Sequence, residues 1–316
     1  MSLTCKICKR AENFNEYVVR EMLYGTREKF DYFQCSRCGC LQIKEFPRDL
    51  AQYYPDNYYS KNINFEEMVK ERKVKRNIES LNKYLSSPAA SRLSFKDLSL
   101  NIIPYLKMKK NDRILDIGCG TGRLVYVMKE AGFQNVFGAD PFIDDEIEYA
   151  NGLKIYKKPI DQMPADTKWD FIMFHHSFEH VTNPLEVLEY AKKLLDDNGK
   201  LVIRIPVVGY AWEKYGVNWY QLDAPRHLFL HSKDSMMFLA DKAGLKVDKI
   251  KYDSTSSQFI NSENYQKGIP LIQEVSKSKG FQRIKDKYKK WKYKRMSAYL
   301  NNTMNGDQAA FILAKL

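Results

Sequence analysis

The run Asp116-Ile117-Gly118-Cys119-Gly120-Thr121-Gly122 constrains this chain most, because it places three glycines at alternate positions. The residues before it, 113–115, are typical of a strand, and 123–131 are typical of a helix. Glycines lack a Cβ, so the backbone can turn tightly and approach a ligand, and a helix start offers unpaired N–H groups. The sequence therefore predicts an α/β fold that holds a ligand against this turn.

The spacing and charge of the turn indicate which ligand. The dinucleotide fingerprint is G-x-G-x-x-G and seats a pyrophosphate, whereas this run has the pattern D-x-G-x-G-x-G. The carboxylate of Asp116 repels a pyrophosphate but can pair with the ammonium of an amino-acid group. Asp140 follows the strand-like segment 135–139, where a carboxylate commonly accepts ribose hydroxyls. The pattern favours S-adenosylmethionine, with an NAD-dependent oxidoreductase as the weaker alternative.

From about residue 101 to the C-terminus, the chain resembles the class I S-adenosylmethionine-dependent methyltransferases. Motifs similar to theirs follow in family order at 116–122, 140–141, 159–164, 169–181 and 198–203. The resemblance implies a Rossmann-like sheet of seven strands, with the sixth at 245–252 and an antiparallel seventh at 308–314 on the sheet edge. The cofactor-binding residues that it implies are Asp116, Gly118, Cys119, Gly120, Gly122, Asp140, Pro141, Asp161, Gln162 and His175.

The cysteines predict a metal site near the N-terminus. Cys5 and Cys8 form one C-x-x-C pair, Cys35 and Cys38 form another, and short β-prone segments lie between the pairs. Four thiolates so spaced can close a tetrahedral zinc site, and Cys40 is a less favourable competitor for Cys38. Disulfides or a redox pair are the alternatives. We expect a zinc-ribbon-like module over 1–45, an aromatic and helical linker over 46–100 that includes an active-site flap, and a methyltransferase domain over 101–316.

Histidines supply the candidate base for methyl transfer to a hydroxyl, which requires removal of a proton. Three of the five histidines fall within 175–180. The segment Glu179-His180-Val181 resembles a family signature in which a carboxylate and an imidazole face the active site. His180 is the preferred base, His176 and His227 are alternatives, and Glu179 would orient the imidazole.

The acceptor is predicted from resemblance and from aromatic content. The segment 223–228 resembles a D-x-P-R-H-L sequence of methyltransferases in polysaccharide and antibiotic-sugar assembly. We expect O-methylation of a nucleotide-linked or glycan sugar. The alternatives are C- or N-methylation of a nucleotide-linked deoxysugar and a non-catalytic zinc-ribbon adaptor. The candidate substrate-binding residues are Tyr58, Tyr59, Trp219, Tyr220 and Arg226.

Charge is concentrated in an insertion that we expect over 254–306. The chain has a net charge of +12, and 277–295 holds ten basic residues and the single acid Asp286. This segment fits a solvated helix or attraction to an anionic membrane, whereas no recognisable module predicts nucleic-acid binding. The sequence lacks a long apolar run and a signal-peptide pattern, so we expect a cytoplasmic protein, with peripheral contact at the inner membrane face as an option and its oligomeric state open.

Overall fold

The computed structural model describes residues 3–12, 14–55, 63, 65–87, 95, 98–273 and 280–316. Its strands are β1 (Leu3–Thr4), β2 (Ala11–Glu12), β3 (Asn15–Arg20), β4 (Lys29–Gln34), β5 (Leu41–Ile43), β6 (Arg113–Ile117), β7 (Asn135–Ala139), β8 (Ile147–Glu148), β9 (Lys154–Tyr156), β10 (Trp169–His175), β11 (Leu195–Pro206), β12 (Phe229–Leu230), β13 (Leu245–Tyr252) and β14 (Gln308–Lys315). Its helices are α1 (Phe65–Met68), α2 (Arg72–Ser86), α3 (Ile102–Leu106), α4 (Arg123–Glu130), α5 (Pro184–Leu194), α6 (Tyr210–Tyr215), α7 (Lys233–Lys242), α8 (Ser257–Gln266) and α9 (Gly280–Asn302).

The central sheet confirms the predicted Rossmann-like fold. Its strand order is β13-β14-β11-β10-β6-β7-β9-β8, and β11, β10, β6, β7 and β9 run parallel. Strand β14 is antiparallel to both of its neighbours, as expected. It lies between β11 and β13, however, so β13 and not the last strand forms that edge of the sheet. The two-residue β8 adds an eighth strand at the other edge.

The parallel strands are buried on both faces, which explains their nearly continuous apolar sequences. Successive side chains of a strand point to opposite faces. Ile114 therefore packs into one core with Leu81 and Val125, while Leu115 packs into the other with Leu188. Because β6, β7 and β10 run parallel, their C-terminal ends lie at the same end of the sheet, where the glycine turn and the histidine loop meet.

The N-terminal segment is joined to the methyltransferase fold by a shared sheet. Strands β3, β4 and β5 form a second antiparallel sheet, and β12 adds to it through the pairs Phe229 with Gln42 and Leu230 with Leu41. Tyr32 and Phe229 also belong to one continuous core. The cysteine-bearing segment thus packs directly against the segment that contains His227 and β12.

The insertion between β13 and β14 consists of α8 and α9 in the described residues. The last turns of α9 pack inward, since Leu300 is buried and the Tyr293 ring stacks on Phe259 at 4.7 Å. Farther toward its N-terminus the helix is exposed, with Tyr288 at 65% and Trp291 at 51%. Among the described helices, none is long and apolar enough to cross a membrane.

Candidate active site

The turn after β6 requires glycine at two of its positions. Gly118 has φ +70° and Gly122 has φ +93°, which side-chain-bearing residues rarely adopt. A Cβ on Gly118 would lie 2.4 Å from Cβ of Ser177, and one on Gly122 would lie 2.6 Å from Cδ1 of Ile155. The turn is therefore built for close approach of the backbone to its surroundings.

Asp116 lies in β6 just before the turn and is 3% exposed. Its Oδ1 has no hydrogen-bond partner within the described part of the chain. Burial, followed by the nearby Asp140 carboxylate, raises the pKa of Asp116 well above its ordinary value. A ligand cation placed against this carboxyl would stabilise its charged form, so Asp116 fits the ammonium of S-adenosylmethionine.

Asp140 is fixed beside the glycine turn by backbone N–H groups. Gly120 N donates to Oδ2 and Phe142 N donates to Oδ1, each at 2.8 Å. Each carboxylate oxygen keeps a second lone pair, so the ribose hydroxyls of the predicted ligand could still be accepted. Burial raises the pKa of the Cys119 thiol, which keeps it protonated and fits its predicted place within the turn.

The other predicted cofactor residues occupy different environments. Asp161 and Gln162 lie in a short 3-10 turn after β9 and are exposed, and Pro141 follows Asp140 at the half-buried surface. His175 ends β10, and neither of its ring nitrogens has a partner among the described residues. Burial lowers the pKa of His175, so its imidazole is neutral.

A buried carboxylate, Glu179, lies at the centre of the loop after β10. It is 0% exposed, and its Oε1 lies 3.4 Å from His176 Nδ1 and 3.8 Å from His227 Nε2. Burial raises its pKa, but the nearby Nδ1 of His176 and the imidazoles of His180 and His227 lower the pKa of Glu179 to about 2. Glu179 is therefore ionised at neutral pH.

Two of the candidate bases have the same tautomer. His180 Nδ1 lies 2.8 Å from the carbonyl oxygen of Arg226, and His227 Nδ1 lies 2.7 Å from that of Gln221. A carbonyl oxygen only accepts, so each neutral ring carries its proton on Nδ1 and keeps a lone pair on Nε2. The two rings approach to 4.8 Å between centroids. Both can therefore bind a proton or a cation through Nε2.

His176 has a different environment from the other two candidates. Its Nε2 lies 2.8 Å from Nη1 of Arg204, and Arg204 Nε donates to Asp253 at 2.7 Å. Guanidinium groups only donate, so the lone pair of His176 Nε2 is already occupied. The geometry favours His180 and His227 over His176 as the base.

Two predicted substrate residues are structural instead. Arg226 is 0% exposed and donates to Glu21 at 2.7 Å and to Asp223 at 2.6 Å. Trp219 is also fully buried and donates from Nε1 to Asp307 at 3.1 Å. Because both side chains are buried and bonded to other parts of the protein, the structure favours a structural role for Arg226 and Trp219 over contact with the acceptor.

The remaining substrate candidates differ from each other. Tyr220 is half-buried beside these residues, and burial raises its pKa well above the ordinary value. Tyr58 and Tyr59 lie outside the described residues. The neighbouring Tyr54, which sequence reasoning did not single out, lies with its hydroxyl 3.1 Å from His180 Nδ1. The position of Tyr54 in the aromatic run 53–59 was the only sequence feature that could have indicated its role. Glu21, which binds Arg226, and Arg204, which binds His176, have no such feature in their local sequence.

The four predicted zinc ligands converge in the N-terminal segment. Cys5, Cys8, Cys35 and Cys38 are buried, and their sulfur atoms all lie within 4.8 Å of one another. The Cys5–Cys38 and Cys8–Cys35 distances are 3.7 and 3.5 Å. Sulfur atoms around tetrahedral zinc are separated by roughly 3.8 Å, given Zn–S bonds of about 2.3 Å. The four thiols fit zinc, and Cys40 lies outside the group.

Comparison of the sequence with family models identifies the family of the chain. Residues 72–250 match a family model described as "Methyltransferase domain", which covers more than half of the chain. The chain belongs to this family and is a class I S-adenosylmethionine-dependent methyltransferase, as the turn and the strand order predicted. The match gives no support to the oxidoreductase and adaptor alternatives.

Curated relatives match a shorter part of the chain. The "tRNA U34 carboxymethyltransferase" of Idiomarina loihiensis is 27% identical over 118 residues, covering 34% of this chain and 36% of the relative. That of Pseudomonas fluorescens is 32% identical over 116 residues, with the same coverage. An uncharacterized protein of Haemophilus influenzae is 25% identical over 193 residues, covering 52% of this chain and 70% of its own. The chain thus spans about a third of the length of the first two.

Solved structures with a similar fold include methyltransferases. A SAM-dependent methyltransferase from Archaeoglobus fulgidus has a TM-score of 0.42 at 20% identity, covering 80% of this chain and 98% of its own. The magnesium protoporphyrin IX methyltransferase of Synechocystis has a TM-score of 0.36 at 15% identity, and the match covers 65% of this chain and 86% of that protein. Neither likeness bears on the acceptor.

Proposed function

We propose that this enzyme methylates an oxygen atom of a sugar acceptor beside Glu179. S-Adenosylmethionine supplies an electrophilic methyl group on a sulfonium when it is bound. Asp116, the backbone at Gly118 and Gly120, and Asp140 would hold that donor. The observation that carries the proposal is the convergence of an ionised buried carboxylate with two imidazole lone pairs at the edge of the sheet that bears the glycine turn.

The turn and the histidine loop are in direct contact. Ser177 Oγ donates to the carbonyl oxygen of Ile117 at 2.6 Å, and the Ser177 side chain covers Gly118. Since β10 pairs in parallel with β6, both loops leave the same sheet edge. An acceptor hydroxyl held there can lose its proton to Nε2 of His180 or His227, while the Glu179 carboxylate stabilises the resulting imidazolium.

The sugar acceptor rests on the resemblance of 223–228 and on two aromatic residues, Tyr54, whose hydroxyl lies 3.1 Å from His180 Nδ1, and Tyr220. Tyr54 and Tyr220 combine an aromatic face with a hydroxyl, which suits a pyranose ring. The test is incubation with methyl-labelled donor and a panel of nucleotide sugars carrying free hydroxyl or amino groups. We expect label on a hydroxyl. Label on carbon or nitrogen would replace O-methylation with one of the alternatives, and label on none of the panel would remove the sugar assignment.

A second candidate acceptor is tRNA. The support is the name of the partial relatives, together with the basic helix α9, whose exposed Tyr288 and Trp291 rings lie among lysines. Basic side chains bind phosphates, and exposed aromatic rings stack on bases. The labelled-donor assay with total tRNA in place of sugars distinguishes this candidate, because incorporation would then be destroyed by ribonuclease.

The N-terminal segment is proposed to hold structural zinc through Cys5, Cys8, Cys35 and Cys38. Neither this role nor a peripheral membrane contact depends on the acceptor. For the membrane option, the support is the same basic helix, which would be drawn to anionic headgroups. Sedimentation with vesicles of anionic lipid, compared with neutral vesicles, tests it directly.

A further inference from the structure

Glu179, His180 and His227 present hydrogen-bond acceptors to one another. Glu179 Oε1 and Oε2 have no hydrogen-bond partner among the described residues. The Nδ1–H groups of His180 and His227 are used by backbone carbonyls, which leaves only lone pairs on the two Nε2 atoms. The nearest donor is His176, whose Nδ1 carries the proton because its Nε2 accepts from Arg204, but this Nδ1 lies 3.4 Å from Oε1 and makes no hydrogen bond. A fully buried carboxylate in such surroundings is unfavourable, so this arrangement lacks a positive charge.

We propose that Glu179, His180 and His227 bind a first-row divalent transition-metal cation. One ligand atom of each residue lies within 4.8 Å of the others. Glu179 Oε1 and His227 Nε2 are 3.8 Å apart, which is too long for a hydrogen bond. Two ligand atoms, each about 2.1 Å from a metal, lie roughly 3.0 to 3.4 Å apart, so a small inward movement would close the site.

The surroundings of the two imidazoles match those of metal ligands. A metal-binding histidine almost always donates its other ring N–H to a carbonyl or carboxylate, which fixes the tautomer. Both histidines do so, through the carbonyls of Arg226 and Gln221. Two imidazoles and one carboxylate leave positions open for other ligands, and this donor set suits iron, manganese, nickel or zinc.

This inference deepens the proposed function and rests on it only for the role of the cation. In the metal-bound form, Nε2 of His180 and of His227 would be metal ligands, so neither imidazole could take the acceptor proton as in the base mechanism above. The cation would instead lower the pKa of an acceptor hydroxyl at an open position, and the proton would pass to water. The competing account places a proton on His227, whose Nε2 also lies 3.8 Å from Oδ2 of Asp223. The two accounts differ in metal binding, which can be measured without methyl donor.

The test is calorimetric titration of Ni²⁺ into untagged protein whose cysteine site is already filled with zinc. Imidazole suits Ni²⁺, whereas a filled thiolate site leaves it no ligands there. We expect one equivalent of Ni²⁺ to bind with zinc retained. Glu179→Gln and His227→Gln should weaken binding at least 100-fold, and His180→Gln provides a third variant if either fails to fold. Glu186→Gln, the same change at an exposed position of α5, should bind as the unchanged protein does.

Two outcomes would overturn the inference. One is the absence of stoichiometric Ni²⁺ binding in the unchanged protein, and the other is equal binding by folded ligand variants. In the first case, an NMR titration showing a protonated His227 at neutral pH would assign the charge to an imidazolium. Neither outcome affects the methyltransferase assignment, which depends on the family match and not on the metal.

Discussion

At the scale of single residues, Asp116 has opposing effects on stability and on ligand binding. Burial raises its pKa, so the folded state favours the neutral acid. Its contribution to stability is complete below the pKa of the unfolded chain and is lost as pH rises through the higher folded-state pKa. At neutral pH, the buried carboxyl therefore destabilises the protein when no ligand is present.

Replacing Asp116 with Asn should separate these effects. Without ligand, we expect the free energy of unfolding at neutral pH to rise by on the order of 1 kcal/mol, because no buried charge must form. S-Adenosylmethionine should bind at least tenfold more weakly, because an amide cannot neutralise its ammonium. Denaturation and calorimetry measure the two quantities. Asp166→Asn, at an exposed loop position, is the control and should change neither.

The affinity for S-adenosylmethionine should also depend on pH through Asp116. Binding of a cation requires the ionised carboxyl, so affinity should fall as pH decreases through the raised pKa of Asp116. Calorimetric titrations across this range measure the effect. The slope should disappear in Asp116→Asn, and persistence of the slope in that variant would assign it to another group.

The histidines should differ in their effects on turnover. His180→Ala and His227→Ala should each lower turnover by about 100-fold or more, with donor affinity nearly unchanged, because each removes a lone pair beside Glu179. His176→Ala should have a smaller effect, since the His176 Nε2 lone pair already accepts from Arg204. Single-turnover rates and donor affinity measured on the same preparations provide the comparison. A His176 effect as large as the other two would reverse this assignment.

At the scale of elements, the cysteine segment supports the strand that follows His227. The Tyr32 hydroxyl donates to the His227 carbonyl at 2.8 Å, and Ile43 N donates to the Leu228 carbonyl at 3.1 Å. Ser232 caps α7 and donates to the Cys38 carbonyl. Zinc would stabilise β5 and, through it, the position of the His227 imidazole.

Loss of a zinc ligand should therefore reach the active site. Cys35→Ser should reduce zinc from about one per chain and accelerate amide hydrogen exchange across β5 and β12 at least tenfold, with lower turnover. Cys40→Ser changes an equally buried thiol outside the cluster and should retain zinc. Zinc analysis and exchange mass spectrometry check both variants. Unchanged exchange in zinc-free Cys35→Ser would show that the strand does not need the metal.

The elements that sequence could predict are those fixed by local pattern. Some features depend only on neighbouring residues or on the spacing of apolar residues. These are the glycine turn, the paired cysteines, β13 and the antiparallel β14. Arg226 depends instead on Glu21, which is 205 positions away in the sequence, and Trp219 depends on Asp307, which is 88 positions away. Such partners leave no mark in local sequence, so both side chains were expected at the substrate and lie in the core.

At the scale of the whole molecule, a large share of the net positive charge lies on α9. Lys287, Lys290 and Lys294 are exposed on α9, while Tyr293 of the same helix stacks on Phe259 of α8. A tRNA acceptor would place its phosphates near these lysines. Changing all three to Gln should weaken tRNA binding. It should also reduce the slope of the logarithm of the binding constant against the logarithm of the salt concentration, by about one for each phosphate that a lysine no longer neutralises.

Filter binding over a range of salt concentrations measures that change. The control changes Lys73, Lys75 and Lys83 on α2 to Gln, which removes the same net charge from another exposed helix. Equal weakening in both triple variants would indicate nonspecific attraction by net charge. No tRNA binding by the unchanged protein would leave the sugar acceptor as the proposal.

The most direct measurement for the central claim is a crystal structure with S-adenosylhomocysteine, the product of the donor. Our account predicts the amino group of the ligand at Asp116, its ribose hydroxyls at Asp140, and its sulfur facing Glu179 and the Nε2 atoms of His180 and His227. An adenosyl ligand bound elsewhere, or bound with its sulfur directed away from Glu179, would contradict the account.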